Sequence, residues 1–197
     1  MDIYEIYSDA SWDEQKLKES VFGACVVYKN GNIIYQKGKR IKNTEGIHPE
    51  TKNIIRSINI FKDNFLSQVN AGDVVIFKTD GKCAINYCNK ALKFVSDGNK
   101  INHKIIAPIK AHCIQTLAEY AGLDIRFQWI PRDDNWLADK IANDSKEEFM
   151  ARMCLEESSQ YMRDDLEYTI SKWKKWFKDD SCIDITDKLQ KFIDINL

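Results

Sequence analysis

The chain has 197 residues, 44% of them hydrophobic and 30% charged, with a formal net charge of −1. That is apolar content enough for one sizeable core, as one domain or one domain plus an appendage. A near-neutral sum excludes a protein that coats nucleic acid by bulk charge, yet it permits an acidic site beside a basic groove. No window approaches a membrane-spanning run, and no basic segment followed by an apolar one opens the sequence. The expectation is an intracellular, cytoplasmic protein with no membrane partner. Six cysteines stand at 25, 83, 88, 113, 154 and 182 with no C-x-x-C spacing, and read as structural thiols rather than zinc ligands or disulfides.

Apolar and polar residues alternate from Ile3 to Tyr7, and the run ends in Ser8-Asp9-Ala10-Ser11. This is a strand that delivers an acid where small residues begin, and an acid on a core strand is costly unless paired or bound to metal. Asp13 to Glu19 is a polar turn, and Ser20 to Tyr28 is a second strand. Asn30-Gly31 supplies the positive φ angles of a two-residue hairpin. Ile33 to Ile41 returns as a third strand, with Ile33, Tyr35 and Lys37 on one face.

After a polar loop, His48-Pro49-Glu50-Thr51 starts a helix with proline at its first position. Ile54, Ile55, Ile58, Phe61, Phe65 and Leu66 form its apolar face, and Asn70-Ala71-Gly72 stops it. Asp73 to Asp80 is a continuous apolar run, the pattern of a strand buried on both faces. A short helix is expected over Gly81–Leu92, then an irregular lysine-bearing connection over Lys93–Lys104. A helix follows over Ile105–Ala121, interrupted early by Pro108, and then a strand over Leu123–Ile130. Pro131 to Asp134 is a turn, Asn135 is a candidate N-cap, and a helix runs from about Trp136 with no clear stop. Strands that are first antiparallel and then alternate with helices predict an α/β fold with a mixed sheet.

The chain is expected to divide into residues 1–150 and a helical extension over 151–197. In the extension Leu166, Ile170, Trp173 and Phe177 form one helical stripe, with Lys172, Lys174, Lys175 and Lys178 nearby. The stripe reads either as packing against the main domain or as a surface for a protein partner, self-association or nucleic acid.

Four acids hold special places. Asp9 ends the first strand, Glu50 lies in the first turn of the first helix, Asp80 ends the buried strand, and Asp139 lies early in the last helix. If the first strand and the 73–80 strand are parallel neighbours, Asp9 and Asp80 sit side by side at a sheet edge, the usual place for a site. Carboxylates so placed repel one another, and either take up protons or recruit cations. Oxygen-only ligands suit Mg²⁺ or Mn²⁺ rather than zinc, and two such ions can serve phosphodiester hydrolysis. Glu45 competes with Glu50, and Asp133 and Asp134 with Asp139, as solvated alternatives.

Together S-D-A-S-W, H-P-E-T-K-N-I-I, F-K-T-D-G-K and W-I-P-R-D-D-N-W-L-A-D-K-I-A resemble the ribonuclease H family in order, spacing and element type, across residues 1 to about 145. The resemblance implies a mixed five-stranded sheet with its first three strands antiparallel, flanked by helices. It implies a metal-dependent endonuclease that hydrolyses the RNA strand of RNA–DNA hybrids with two Mg²⁺ or Mn²⁺ ions. Asp9 would bridge both ions, Glu50 would bind one and sense the RNA 2′-hydroxyl, Asp80 would help position water, and Asp139 would hold the second ion. Ser11, Lys82 and Arg132 are candidate substrate contacts.

The chain departs from the family in three places. Pro131-Arg132-Asp133-Asp134 stands where many members carry a loop histidine, and Arg132 can hold a phosphate but cannot shuttle a proton. Gly46-Ile47-His48-Pro49 replaces a polar pair that touches substrate. Lys82, Lys90, Lys93, Lys100 and Lys104 are a sparse stand-in for a long basic handle. Two alternatives therefore stay open: a nuclease of this fold acting on another duplex or structured nucleic acid, and a non-catalytic nucleic-acid-binding module.

Overall fold

A computed structural model of the chain describes residues 1–12, 20–42, 47–101 and 107–176. The polar turn at 13–19, Glu45, His103, Lys104, and Phe177 with everything after it lie outside the described residues. The side chains of Leu166, Ile170 and Trp173 do so as well. The chain divides into two compact units, Met1–Lys146 and Glu147–Leu197.

The first unit is built on five strands: β1 (Ile3–Trp12), β2 (Ser20–Lys29), β3 (Asn32–Lys42), β4 (Val74–Thr79) and β5 (Asp124–Trp129). They lie in the order β3-β2-β1-β4-β5. The first three pair antiparallel, while β4 runs parallel to β1 and to β5, which is the expected mixed sheet. The β2–β3 turn is the expected hairpin, with Asn30 at φ 50° and Gly31 at φ 78°.

Helix α1 (Pro49–Phe65) begins with Pro49, whose missing N–H costs nothing in a first turn. It buries Ile54, Ile55, Ile58 and Phe61. Phe61 is the centre of an aromatic cluster, 5.4 Å from Tyr4, 6.0 Å from Phe77 and 6.4 Å from Tyr120 between ring centroids. Phe77 in turn stacks on Phe127 at 5.4 Å. The Tyr120 hydroxyl donates to the Ile58 carbonyl at 2.6 Å, so the buried ring leaves no orphaned polar atom. This core lies on one face of the sheet. On the other face a smaller cluster joins Ala24 and Val26 of β2 to Ala138 and Ala142, with Tyr7, Tyr28, Leu137 and Ile141 around them. Those alanines belong to α4 (Trp136–Trp176).

Two sequence expectations change. Helix α2 spans Lys82–Ser96, so Lys93 lies in its last turn rather than in an irregular connection. The stop is Asp97-Gly98, where Gly98 takes φ 65°, the left-handed conformation that ends helices. Helix α3 spans Pro108–Ala118. Pro108 opens it at the first position and does not interrupt it, for the same reason as Pro49.

One buried side chain ties α1 to the two central antiparallel strands. The Asn53 amide nitrogen donates to Ser8 Oγ (2.8 Å), the Asp9 carbonyl (2.6 Å) and the Ala24 carbonyl (2.8 Å). Its oxygen accepts from Arg56 Nη1 at 3.2 Å. Removing the amide leaves buried carbonyls without a donor, so Asn53→Ala should destabilise the fold by about 2–3 kcal/mol. Urea unfolding checks this, and a loss below about 0.5 kcal/mol would contradict the hub role.

Candidate active site

Parallel strands keep a constant offset. Ile3 faces Val74, Tyr4 faces Val75, and the pairing continues to Tyr7 and Lys78. Carried two residues further, this register sets Asp9 at the level of Asp80, at the C-terminal ends of β1 and β4. Glu50 arrives from the first turn of α1 and Asp139 from the first turn of α4. Asp9, Glu50, Asp80 and Asp139 line one cleft of about 190 Å³, with Ala10, Ser11, Trp12, Arg132 and Asn143. Gly81 permits the close approach of Glu50, because a Cβ there would lie 2.1 Å from Glu50 Oε2.

Asp9 is buried, with 7% of its surface exposed. Burial pushes its carboxyl up to about 7, and the charges of Asp80, Asp139 and Glu50 push in the same direction. Burial also raises Glu50, with His48 opposing the shift and Asp80 adding to it. His48 Nδ1 lies 3.9 Å from Glu50 Oε2, and its ring meets Trp12 edge-on at 5.5 Å.

Arg132 and two asparagines organise the acids. Arg132 Nη2 donates to Asp139 Oδ1 at 2.6 Å, and Asn143 Nδ2 donates to Asp139 Oδ2 at 3.2 Å. Asn143 Oδ1 accepts from Ser11 Oγ at 2.7 Å. Asn135 Nδ2 reaches Asp80 Oδ1 (3.2 Å), Asp9 Oδ1 (3.4 Å) and the Ser8 carbonyl (3.2 Å). Asn135 is thus not the helix cap that its place before α4 suggests. It ends a 3-10 turn (Arg132–Asn135), and its Oδ1 is buried without a partner while its amide bridges the two strand-end acids. Ser11 and Arg132 line the cleft. Lys82, the first residue of α2, sets its ammonium 4.7 Å above the exposed Trp129 ring, and Trp129 Nε1 donates to the Asp80 carbonyl at 2.9 Å.

Sequence reasoning misses the roles of Asn135, Asn143 and Trp129. The N-x-x-A-D spacing within W-I-P-R-D-D-N-W-L-A-D-K is the available signal for Asn135, since it sets an amide one turn before Asp139. Asn143 follows Asp139 by one turn, which is the spacing of facing helical neighbours.

The donor set consists of carboxylate and amide oxygens, the ligands of hard divalent cations. As the side chains stand, no three His, Cys, Asp or Glu among the described residues converge on a single ion position. Arg132 and Asn143 each engage one Asp139 oxygen, so Arg132 competes with a cation for that carboxylate.

Acids at the C-terminal ends of two neighbouring parallel strands, on a sheet ordered 3-2-1-4-5, define a ribonuclease H fold. Solved structures carry the same fold. Ribonuclease H1 from the halophilic archaeon Halobacterium salinarum is 16% identical, with 74% of this chain and 98% of that one covered at a TM-score of 0.52. LC11-RNase H1, isolated from compost and solved in complex with an RNA/DNA hybrid, is 14% identical, with 76% and 99% covered at 0.51. The N-terminal ribonuclease H domain of a Mycobacterium tuberculosis protein is 17% identical, with 78% and 99% covered at 0.50. At such identities the likeness establishes the fold. No family model matches the chain. No curated protein matches it in sequence.

The raised Asp9 carboxyl has a measurable sign. Below about pH 4 it is protonated in both folded and unfolded chains. Between about 4 and 7 the unfolded carboxyl ionises while the folded one keeps its proton, so stability falls as pH rises through this window and stays reduced above it. The gap from 3.8 to about 7 corresponds to roughly 4 kcal/mol. Asp9→Asn, which can donate to Asp80, should stabilise the metal-free protein by about 2–4 kcal/mol at pH 8 and by far less at pH 4. Thermal melts at the two pH values check this, and an equal change at both would contradict it.

Proposed function

We propose that the chain is a divalent-metal-dependent nuclease that hydrolyses the RNA strand of RNA–DNA hybrids. The observation that carries this reading is the meeting of Asp9, Glu50, Asp80 and Asp139 at one cleft, where burial and the neighbouring acids raise the Asp9 carboxyl. Carboxylates kept together against their own repulsion are what a site for cations requires. Asp9, Glu50, Asp80 and Asp139 would hold Mg²⁺ or Mn²⁺, with residues 1–150 as the catalytic domain. When bound, two such ions activate a water and stabilise the leaving oxygen of a phosphodiester.

The chain's own residues do the rest. Asn135 holds the strand-end acids in register from beneath. Arg132, 73% exposed in its side chain and on the cleft wall, can leave Asp139 for a substrate phosphate, which its guanidinium holds in bidentate fashion. Glu50, on the wall of the cleft, is the group available to the ribose 2′-hydroxyl, the feature that separates RNA from DNA. That LC11-RNase H1 was solved with an RNA/DNA hybrid supports the choice of hybrid among duplexes.

Two measurements test the reading. Purified protein with Mg²⁺ or Mn²⁺ should cut the labelled RNA strand of a hybrid in preference to duplex DNA or duplex RNA, and Asp9→Asn or Asp80→Asn should reduce the rate by at least ~10²-fold. Cleavage that survives either change, or a preference for another duplex, overturns it. Independently of activity, Arg132→Ala should free Asp139 and lower the Kd for Mn²⁺ by about 2–5-fold, the worth of an exposed ion pair. Calorimetry reads this directly, and weaker Mn²⁺ binding would mean that Arg132 is not a competitor for that carboxylate.

A further inference from the structure

The nuclease reading leaves the far edge of the sheet without a role. Strand β3 reads N-I-I-Y-Q-K-G-K-R-I-K, with four basic residues and no acid in a chain whose net charge is −1. Its side chains alternate between the two faces. Lys39 pairs with Gly23 and Lys37 with Cys25. A Cβ on Gly23 would meet Asn53 of α1 and Ile41 Cδ1, so Gly23, Lys39 and Ile41 share the α1 face, and Lys37 lies one pleat along. Both lysines are exposed, and neither has an ion-pair partner among the described residues. A third cation joins them from α1, since Arg56 Nη1 donates to the Gly23 carbonyl at 3.1 Å and has neutral partners there. Among the described residues no acid pairs with Lys37, Lys39 or Arg56, and like charges so gathered repel one another, which favours an anionic occupant.

The position of this shelf relative to the cleft is set by register. Asp9 pairs with Ala24, and Ala24 pairs with Gly38, so these three share the α4 face, while Lys37 and Lys39 flank Gly38 on the opposite face, the one that carries α1 and, in its first turn, Glu50. Two strand spacings put Gly38 about 10 Å from Asp9 across the sheet. Along β3 the lysines are about 7 Å apart, close to the rise of two nucleotides at ~3.4 Å each along one strand of a duplex.

We propose that Lys37 and Lys39, with Arg56 behind them, form a phosphate-backbone docking shelf for the duplex whose scissile strand lies at Asp9. This rests on the nuclease reading and adds to it where affinity comes from. A competing role exists for edge-strand lysines. Charge there blocks pairing with another chain, and charge of either sign does so. Docking of phosphates requires positive charge.

Charge reversal therefore separates the two roles. The measurement is anisotropy of a short fluorescein-labelled RNA–DNA duplex titrated with full-length protein in EDTA, so that the duplex stays intact, across a series of salt concentrations. The double variant K37E/K39E should bind at least ~10-fold more weakly, and the slope of log K against log salt should shrink by about 2, one for each phosphate that is no longer neutralised. K37Q/K39Q should lose the same slope with a smaller drop in affinity, which guards against misfolding of the reversed variant. Thermal melts of both should match the unaltered chain. Binding within about twofold of the unaltered chain, with an unchanged slope, overturns the shelf while leaving the nuclease reading intact. An unaltered chain that binds neither hybrid nor duplex DNA overturns both.

Discussion

Two carboxyls placed side by side at a buried sheet edge cannot both carry charge without compensation. The parallel register of β1 and β4 puts Asp9 and Asp80 in this relation, and most of the surrounding structure answers it. Asp9 gives way by holding its proton to about pH 7. Asn135 bridges the pair with its amide, and Arg132 and Asn143 occupy the oxygens of Asp139. Each is a protein group standing in for positive charge. A hydrophobic core of this size needs none of them.

Holding such a site open requires a rigid floor. A polar hub in that floor is Asn53, which satisfies carbonyls from β1 and β2 with a single amide. Beneath it Phe61, Phe77, Tyr120 and Phe127 interlock at ring separations of about 5 to 6 Å. Aromatic edge and offset contacts add directionality to burial, so α1 cannot slide along the sheet without breaking several at once. Glu50 inherits its position from that locking. It reaches the cleft because α1 is fixed at Phe61 and because Gly81 has no side chain to obstruct it.

Much of this can be read from the residues in order. The alternation in β1, the Asn-Gly hairpin and the unbroken apolar run of β4 each follow from local chemistry, and the five-stranded mixed sheet follows from their sequence. What escapes depends on distant neighbours. Asn135 looks like a cap because a cap is local, whereas its partners Asp9 and Asp80 are 126 and 55 positions away. Helix α2 looks finished at Leu92 because the lysines beyond it resemble a loop, yet Asp97-Gly98 is the stop. The pairing of Asp139 with Arg132 is also invisible in sequence, since exposed cations and anions have many choices until a backbone limits them.

The separation between Ile3 and Val74 in the central pairing has a temporal side as well. A chain made from its N-terminus can close the β1–β2–β3 meander early, from contacts within the first 42 residues. The parallel partner of β1 does not exist until some thirty residues later, and closing so long a loop is slow relative to hairpin formation. In that interval one edge of β1 is unpaired, and Asp9 is an ordinary solvated carboxylate at a strand end. Only the insertion of β4 creates the crowded pair of acids. The electrostatic burden of the cleft therefore falls on the docking of β4 rather than on the nucleation of the meander.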